Sequence, residues 1–312
     1  MERDARIFVT NHEGMIGSAI LNHLAEDGFT GLITRTPSEL DLTDCAKVDD
    51  FFTDEKPDYV FLTTTKAGGI IATIKYPAEF IHDNLRGQCN VIHAAWKCGV
   101  KKLLFLGSSC IYPRECAQPM KEEYILSGKL ERTCEAYSIA KIAGIKMCQS
   151  YNSQYGTDFI SAVPGDNYGP NDDFNPETAH VLPALMSKFH KANIRNEEKV
   201  TVLGTGSPRR ECLHVADLAD ACLFLMDSYH DSEIINIGCG QDISIRELAF
   251  LIKNIVGFKG EIAFDESKPD GAPRKVLDIS RIKAIGWEPR ISFEQGLRQT
   301  YAWYKEQVEV LN

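Results

Sequence analysis

Five short apolar segments alternating with four amphipathic ones constrain this chain more than any other feature. The apolar segments are residues 5–10, 31–35, 58–65, 102–109 and 158–164, rich in β-branched and aromatic side chains. Between them, residues 15–28, 44–57, 77–99 and 136–156 carry apolar positions at helical spacing. Short apolar runs of this kind suit strands buried on both faces, the condition of a parallel sheet covered by helices. Right-handed crossovers then give a doubly wound, Rossmann-type α/β domain. After residue 165 the alternation loosens. Proline and asparagine crowd 164–183, helices are predicted over 182–192, 244–257 and 292–309, and 199–227 mixes a strand, a turn and a helix. The expected organisation is a dinucleotide-binding domain over 1–165, to which part of 199–235 returns, and a smaller C-terminal α/β substrate domain over 166–312.

Charge and cysteine usage narrow the class. The net charge of −10 speaks against nucleic-acid or membrane-surface partners. No apolar run approaches the roughly 18–20 residues of a membrane span. The opening MERDARIFVT lacks the shape of a signal peptide. Ten cysteines are scattered with no C-x-x-C pair, so no metal site is predicted and free thiols in a reducing cytoplasm are expected.

The segment FVTNHEGMIGSAI (8–20) joins the first strand to the first helix. Gly14 and Gly17 are spaced as the last two glycines of a dinucleotide fingerprint, and Asn11 stands in the place of the first. Asparagine tolerates left-handed backbone better than most residues, so it can keep the turn. Gly14 is expected to let the backbone approach a pyrophosphate, and Gly17 to let the helix pack close to the sheet. The N–H groups at Met15, Ile16 and Gly17 favour an anion. After the second strand stand Thr34, Arg35 and Thr36 with no acid among them, which favours NADP; Glu13 points the other way and keeps NAD as the alternative. Asp41 and Leu42 are expected beside the adenine.

The fourth strand ends in GSSCIYP, which puts Ser108 at the carboxyl edge of the sheet, where ligands bind. EAYSIAK then places Tyr137 and Lys141 four residues apart on one helix face. A lysine beside a phenol lets the tyrosine exchange a proton with a carbonyl or hydroxyl. Cys110 and His180, read without other context, are a buried thiol and a hydrogen-bonded loop histidine as readily as proton carriers.

Ser108, Tyr137 and Lys141 on such a sheet resemble the triad of the extended short-chain dehydrogenase/reductases. LFLGSSCIYP, YSIAKIAGIKMCQSYN, YGPNDDF, HVLPAL, GTGSPRRECLHVAD and SKPDGAPRK narrow the resemblance to the GDP-L-fucose synthase family, the GDP-4-keto-6-deoxy-mannose 3,5-epimerase/4-reductases, over residues 6–305. The resemblance implies that Ser108, Tyr137 and Lys141 serve the reduction. It implies that Cys110 and His180 move protons at C3 and C5 of a GDP-keto sugar, and that Lys141 and His180 also line the cofactor. Arg210 matches an arginine on the substrate diphosphate, Lys188 stands where the family often has another basic residue, and Lys268 and Asp270 belong to KPDGAPRK, which either helps hold the nucleotide or is simply a turn built by Pro269, Asp270 and Gly271. The family pairs helices matching 77–99 and 136–156 across a four-helix homodimer interface.

Departures from the family cluster on ligand contacts. Glu13 and Pro37 replace basic residues, Thr63, Thr64 and Thr65 replace small alanines, and Leu203 replaces a tryptophan. Gly165 and Asp166 replace Thr and Asn in PGDNYGP. These changes bear on cofactor preference and on which 4-keto-6-deoxy nucleotide sugar is used. They also admit a cofactor-binding sensor with no turnover, against which the retained Ser108, Cys110, Tyr137, Lys141 and His180 argue.

Overall fold

The computed structural model describes residues 1–63, 66–175, 178–268 and 270–310. Thr64 and Thr65, named above, lie outside them, as does Pro269 of the SKPDGAPRK motif. The first half runs β1 (Ile7–Val9), α1 (Met15–Glu26), β2 (Leu32–Ile33), α2 (Cys45–Glu55), β3 (Tyr59–Leu62), α3 (Ile70–Lys75), α4 (Pro77–Lys97), β4 (Lys102–Leu106), α5 (Glu135–Tyr155) and β5 (Phe159–Pro164). The short α3 was not expected from the sequence. Local signals set the boundaries. Gly28 takes φ +82° just beyond α1, Asp44 caps α2 by accepting from Ala46 and Lys47 N–H groups, and Gly156 ends α5 in left-handed geometry.

The second half adds β6 (Asp166–Tyr168), α6 (Val181–Ile194), β7 (Lys199–Leu203), β8 (Arg209–Arg210), β9 (Cys212–His214), α7 (Val215–Ser228) and β10 (Ile235–Ile237). It closes with β11 (Ile243–Ser244), α8 (Ile245–Val256), β12 (Glu261–Asp265), β13 (Arg274–Lys275), α9 (Ser280–Ala284) and α10 (Phe293–Val310).

The main sheet has six strands in the order β10-β5-β4-β3-β1-β2, all parallel. Every residue of β1, β3, β4 and β5 is buried, as strands covered on both faces must be. One group of helices pairs α1 with α7, and another packs α2, α4 and α5 together. Strand order reverses between β1 and β3, which opens the crevice where doubly wound sheets bind ligands. The edge strand β10 went unread because its three residues sit in a glycine-rich stretch.

A second apolar core gathers α6, α8 and α10 around Phe189, Leu248, Ile252 and Leu297. The parallel pair β7–β12 lies beside it. Two further small sheets, β11-β8-β13 and β6-β9, carry Asp166, Arg210 and Lys275. Ser244 starts α8 with a capping box that engages Glu247 in both directions.

Candidate active site

The loop before α1 is a tight turn. Asn11 adopts φ +49°, and its carbonyl accepts from Gly14 N–H at 3.1 Å. A Cβ on Gly17 would meet the Asn11 carbonyl oxygen at 2.2 Å. Gly17 is therefore required by the turn itself, a correction to the expectation that it serves helix–sheet packing. A Cβ on Gly14 would meet the Asn11 side-chain amide at 2.7 Å, so the substitution at 11 and the glycine at 14 fit each other. No side chain caps α1, and its first turn holds no acid. The amides of Met15, Ile16 and Gly17 therefore suit an anion, and a dinucleotide pyrophosphate fits this cradle.

Arg35 is committed to protein partners. Its guanidinium pairs with Glu55, donates to the Thr34 carbonyl at 2.7 Å and lies over the Phe51 ring. Glu55 pairs with Arg6 as well. Glu39 also lies nearby, accepting from Thr36 N–H and hydroxyl, which hold its carboxyl below the usual range with further help from Arg35. Two acids thus flank Arg35, although none directly follows the strand in sequence. Asp41 accepts from Thr43 N–H and Oγ1, and these bonds lower its pKa; the Leu42 carbonyl accepts from Asn90. Glu13 and Pro37 are exposed. Thr63 ties β3 to β1 through Thr10, which gives that departure a structural role.

At the carboxyl ends of β3 and β4 the side chains converge. Lys141, buried in α5, donates to the Leu106 carbonyl at 2.7 Å and the Thr63 carbonyl at 3.1 Å. Burial brings its pKa down to about 7. Its ammonium stands 5.8 Å from the centre of the half-buried Tyr137 ring, which packs edge-on against Phe80. Ser108 caps a short turn, Ser109–Ile111, by accepting from Cys110 N–H at 3.3 Å. One residue beyond Tyr137, Ser138 donates to the Cys110 carbonyl at 2.8 Å and fastens the start of α5 to that turn.

Cys110 faces a group that sequence reasoning passed over. Lys275, the last residue of KPDGAPRK, donates to Cys110 Sγ at 3.9 Å and pairs with Asp166 at 3.2 Å. A hydrogen bond from Cys134 is the largest influence lowering the Cys110 thiol; burial opposes it, and Lys275 and Ser108 add to the lowering. Burial disfavours the charge on Asp166, but Lys275, His180 and Arg210 outweigh it and its pKa falls. The motif's final lysine was the available signal, masked by its proline and glycine, which read as a turn. His180 sits exposed at the start of α6, within electrostatic reach of Asp166 and Asp172. Burial lifts Asp172 to about 7, against the pull of His180.

The remaining sites are more dispersed. Arg210 donates to the Arg209 and Ala272 carbonyls, both at 2.7 Å, and its charge reaches Asp166. Asp270 holds the 204–207 turn by accepting from Thr205 N–H and Oγ1. Lys188 donates to the Thr201 carbonyl on β7. Lys268 and Leu203 are exposed. Among the described residues, no cluster of histidine, cysteine and carboxylate side chains could hold a metal, and no helix is long and apolar enough to cross a membrane.

Residues 7–238 match the NAD dependent epimerase/dehydratase family. GDP-L-fucose synthase 1 of Arabidopsis thaliana is 56% identical over 98% of this chain and 95% of that protein. GDP-L-fucose synthase of Escherichia coli K12 is 49% identical over 96% of this chain and 97% of that protein. The crystal structure of a GDP-L-fucose synthetase from Naegleria fowleri bound to NADP superposes with a TM-score of 0.93 at 29% identity, covering 99% of this chain and 95% of that one.

Proposed function

Because the chain belongs to the NAD dependent epimerase/dehydratase family and, within it, to the GDP-L-fucose synthases, we propose that it converts GDP-4-keto-6-deoxy-mannose to GDP-L-fucose with NADPH. The observation that carries the reading is the clamp between Ser138 and the Cys110 carbonyl, which brings the Tyr137 turn against the Cys110 turn. Reduction and proton transfer are then served by residues that meet beyond the carboxyl end of β4.

The chemistry follows from acidity. A C–H bond beside the C4 ketone breaks with its electron pair delocalised onto the carbonyl oxygen. Cys110 or His180 takes the proton at C3 or C5, and the opposite member of the pair returns one to the other face. Ser108 and Tyr137 hydroxyls donate to the developing C4 oxyanion. NADPH, when bound, supplies the hydride for C4. Tyr137 gives its proton to the C4 oxygen, and Lys141 favours the phenolate left behind. The first turn of α1 receives the cofactor pyrophosphate, and Arg210 the substrate diphosphate.

We place the cofactor domain at 1–165 with part of 199–235, and the substrate domain mainly at 166–312. A cytoplasmic homodimer fits the family. The test is incubation with GDP-4-keto-6-deoxy-mannose and NADPH, with the product identified by NMR. GDP-L-fucose is expected. Reduction of another GDP-keto sugar with none of this one overturns the reading.

A further inference from the structure

Lys275 comes from β13 and Asp166 from β6, strands of two different small sheets that meet over the Cys110 turn. The ammonium bridges them, 3.9 Å from Cys110 Sγ and 3.2 Å from Asp166 Oδ1. A cation this close to a sulfur favours the thiolate, the form that accepts a proton. A carboxylate on its far side fixes the ammonium and opposes part of its field. The other groups facing the thiol are Cys134 and Ser108, and beyond Asp166 stand His180, Arg210 and Glu211. Of the cations among these, Lys275 alone donates to the sulfur.

We propose that Lys275, held by Asp166, is the positioning residue that keeps Cys110 as a thiolate ready to take a proton from the substrate. Cys134, whose thiol reaches the Glu131 carbonyl at 3.8 Å, is the neutral neighbour of that sulfur, and Lys275 is its cationic partner. Lys275 thus governs how much of Cys110 is competent as a base at neutral pH. Asp166 limits that effect, so the two members of the pair act on the thiol with opposite sign.

The inference rests on the reading of Cys110 as a proton carrier, yet its test needs no substrate. The rate of iodoacetamide alkylation at Cys110 is followed against pH in the ligand-free enzyme, resolved from the other cysteines by peptide mass spectrometry. Lys275→Met is expected to move the midpoint upward and slow alkylation at neutral pH about tenfold, the effect of a one-unit shift. Lys275→Arg, which keeps the charge, restores most of the rate. Asp166→Asn is expected to move the midpoint downward. A midpoint unchanged in Lys275→Met, in protein with a wild-type circular dichroism spectrum, overturns the proposal; that is the result if Lys275 only contacts a substrate phosphate. An Asp166→Asn shift in the same direction as Lys275→Met overturns the opposing role of the carboxylate. Failure of the GDP-L-fucose reading leaves either alkylation result standing.

Discussion

The ammonium of Lys141 donates to the carbonyl oxygen of Leu106 at 2.7 Å, from the first turns of α5 to the carboxyl end of β4. That bond and its partner at Thr63 hold a buried cation under the Tyr137 ring. Burial lowers the lysine to about 7, whereas an unfolded lysine titrates near about 10.4. Between those values the unfolded chain binds more protons, so stability rises with pH. The burden is fully present below about pH 7 and lifts toward pH 10. Lys141→Met removes it. The melting temperature of wild type should therefore gain on that of Lys141→Met between pH 7 and pH 9. A gap independent of pH would show that the buried amine does not titrate in this range.

Reduction and epimerisation should separate by mutation. Tyr137→Phe leaves Cys110, Lys275 and His180 in place, so exchange of solvent deuterium into C3 and C5 persists while NADPH oxidation falls by about a hundredfold or more, the usual weight of a general acid. Cys110→Ser should reverse the pattern, with deuterium exchange suffering first. Isotope incorporation by mass spectrometry beside NADPH absorbance reads both. Equal loss of both activities in Tyr137→Phe would mean that the triad and the proton pair are not distinct.

The sheet was legible because its signal is local. Apolar runs of β3, β4 and β5, the capping Asp44 and the left-handed Gly28 each announce themselves within a few residues. Ser108, Tyr137 and Lys141 were readable for the same reason, being tied to one strand end and one helix face. Lys275 was not. Its meaning depends on Asp166, more than a hundred residues away, and both occupy strands of two or three residues, too short to show a period. Arg35 illustrates the same blindness. Its neighbours in sequence are threonines, while its partner Glu55 arrives from the far end of α2.

Assembly should follow from α4 and α5. On α5, Ile139 and Tyr155 are exposed, and Tyr155 stacks on Trp96 of α4 beside Tyr151 and His93. Apolar and aromatic groups along paired long helices suit a two-fold interface. Sedimentation equilibrium at micromolar protein should give a dimer, and Ile139→Asp should shift it toward monomer, because a carboxylate buried at an interface lacks a partner. A wild-type monomer would place the function of this face elsewhere.

The selection of cofactor should turn on Glu55 as much as on Arg35. In the free protein the Arg35 guanidinium is paired with Glu55, which also holds Arg6. A 2′-phosphate approaching the end of β2 must compete with that carboxylate for the same cation. Arg35 is half-buried over Phe51, so its position is fixed even when its partner changes. Charge-assisted bonds to a phosphate are individually strong, and each is worth about 1.5–3 kcal/mol. Arg35→Ala should therefore weaken NADPH about tenfold or more and leave NADH nearly unchanged. Glu55→Gln removes the carboxylate shared by Arg35 and Arg6 and should tighten NADPH, with a modest loss of stability because ion pairs near the surface contribute little. Glu13→Arg adds a cation at the cofactor loop and should also tighten NADPH selectively. Dissociation constants for both cofactors, measured by calorimetry across the three variants at low and high salt, decide the matter. If Arg35→Ala binds NADPH as well as wild type does, the arginine serves only to bridge Glu55 and Phe51, and the 2′-phosphate is recognised by another cation.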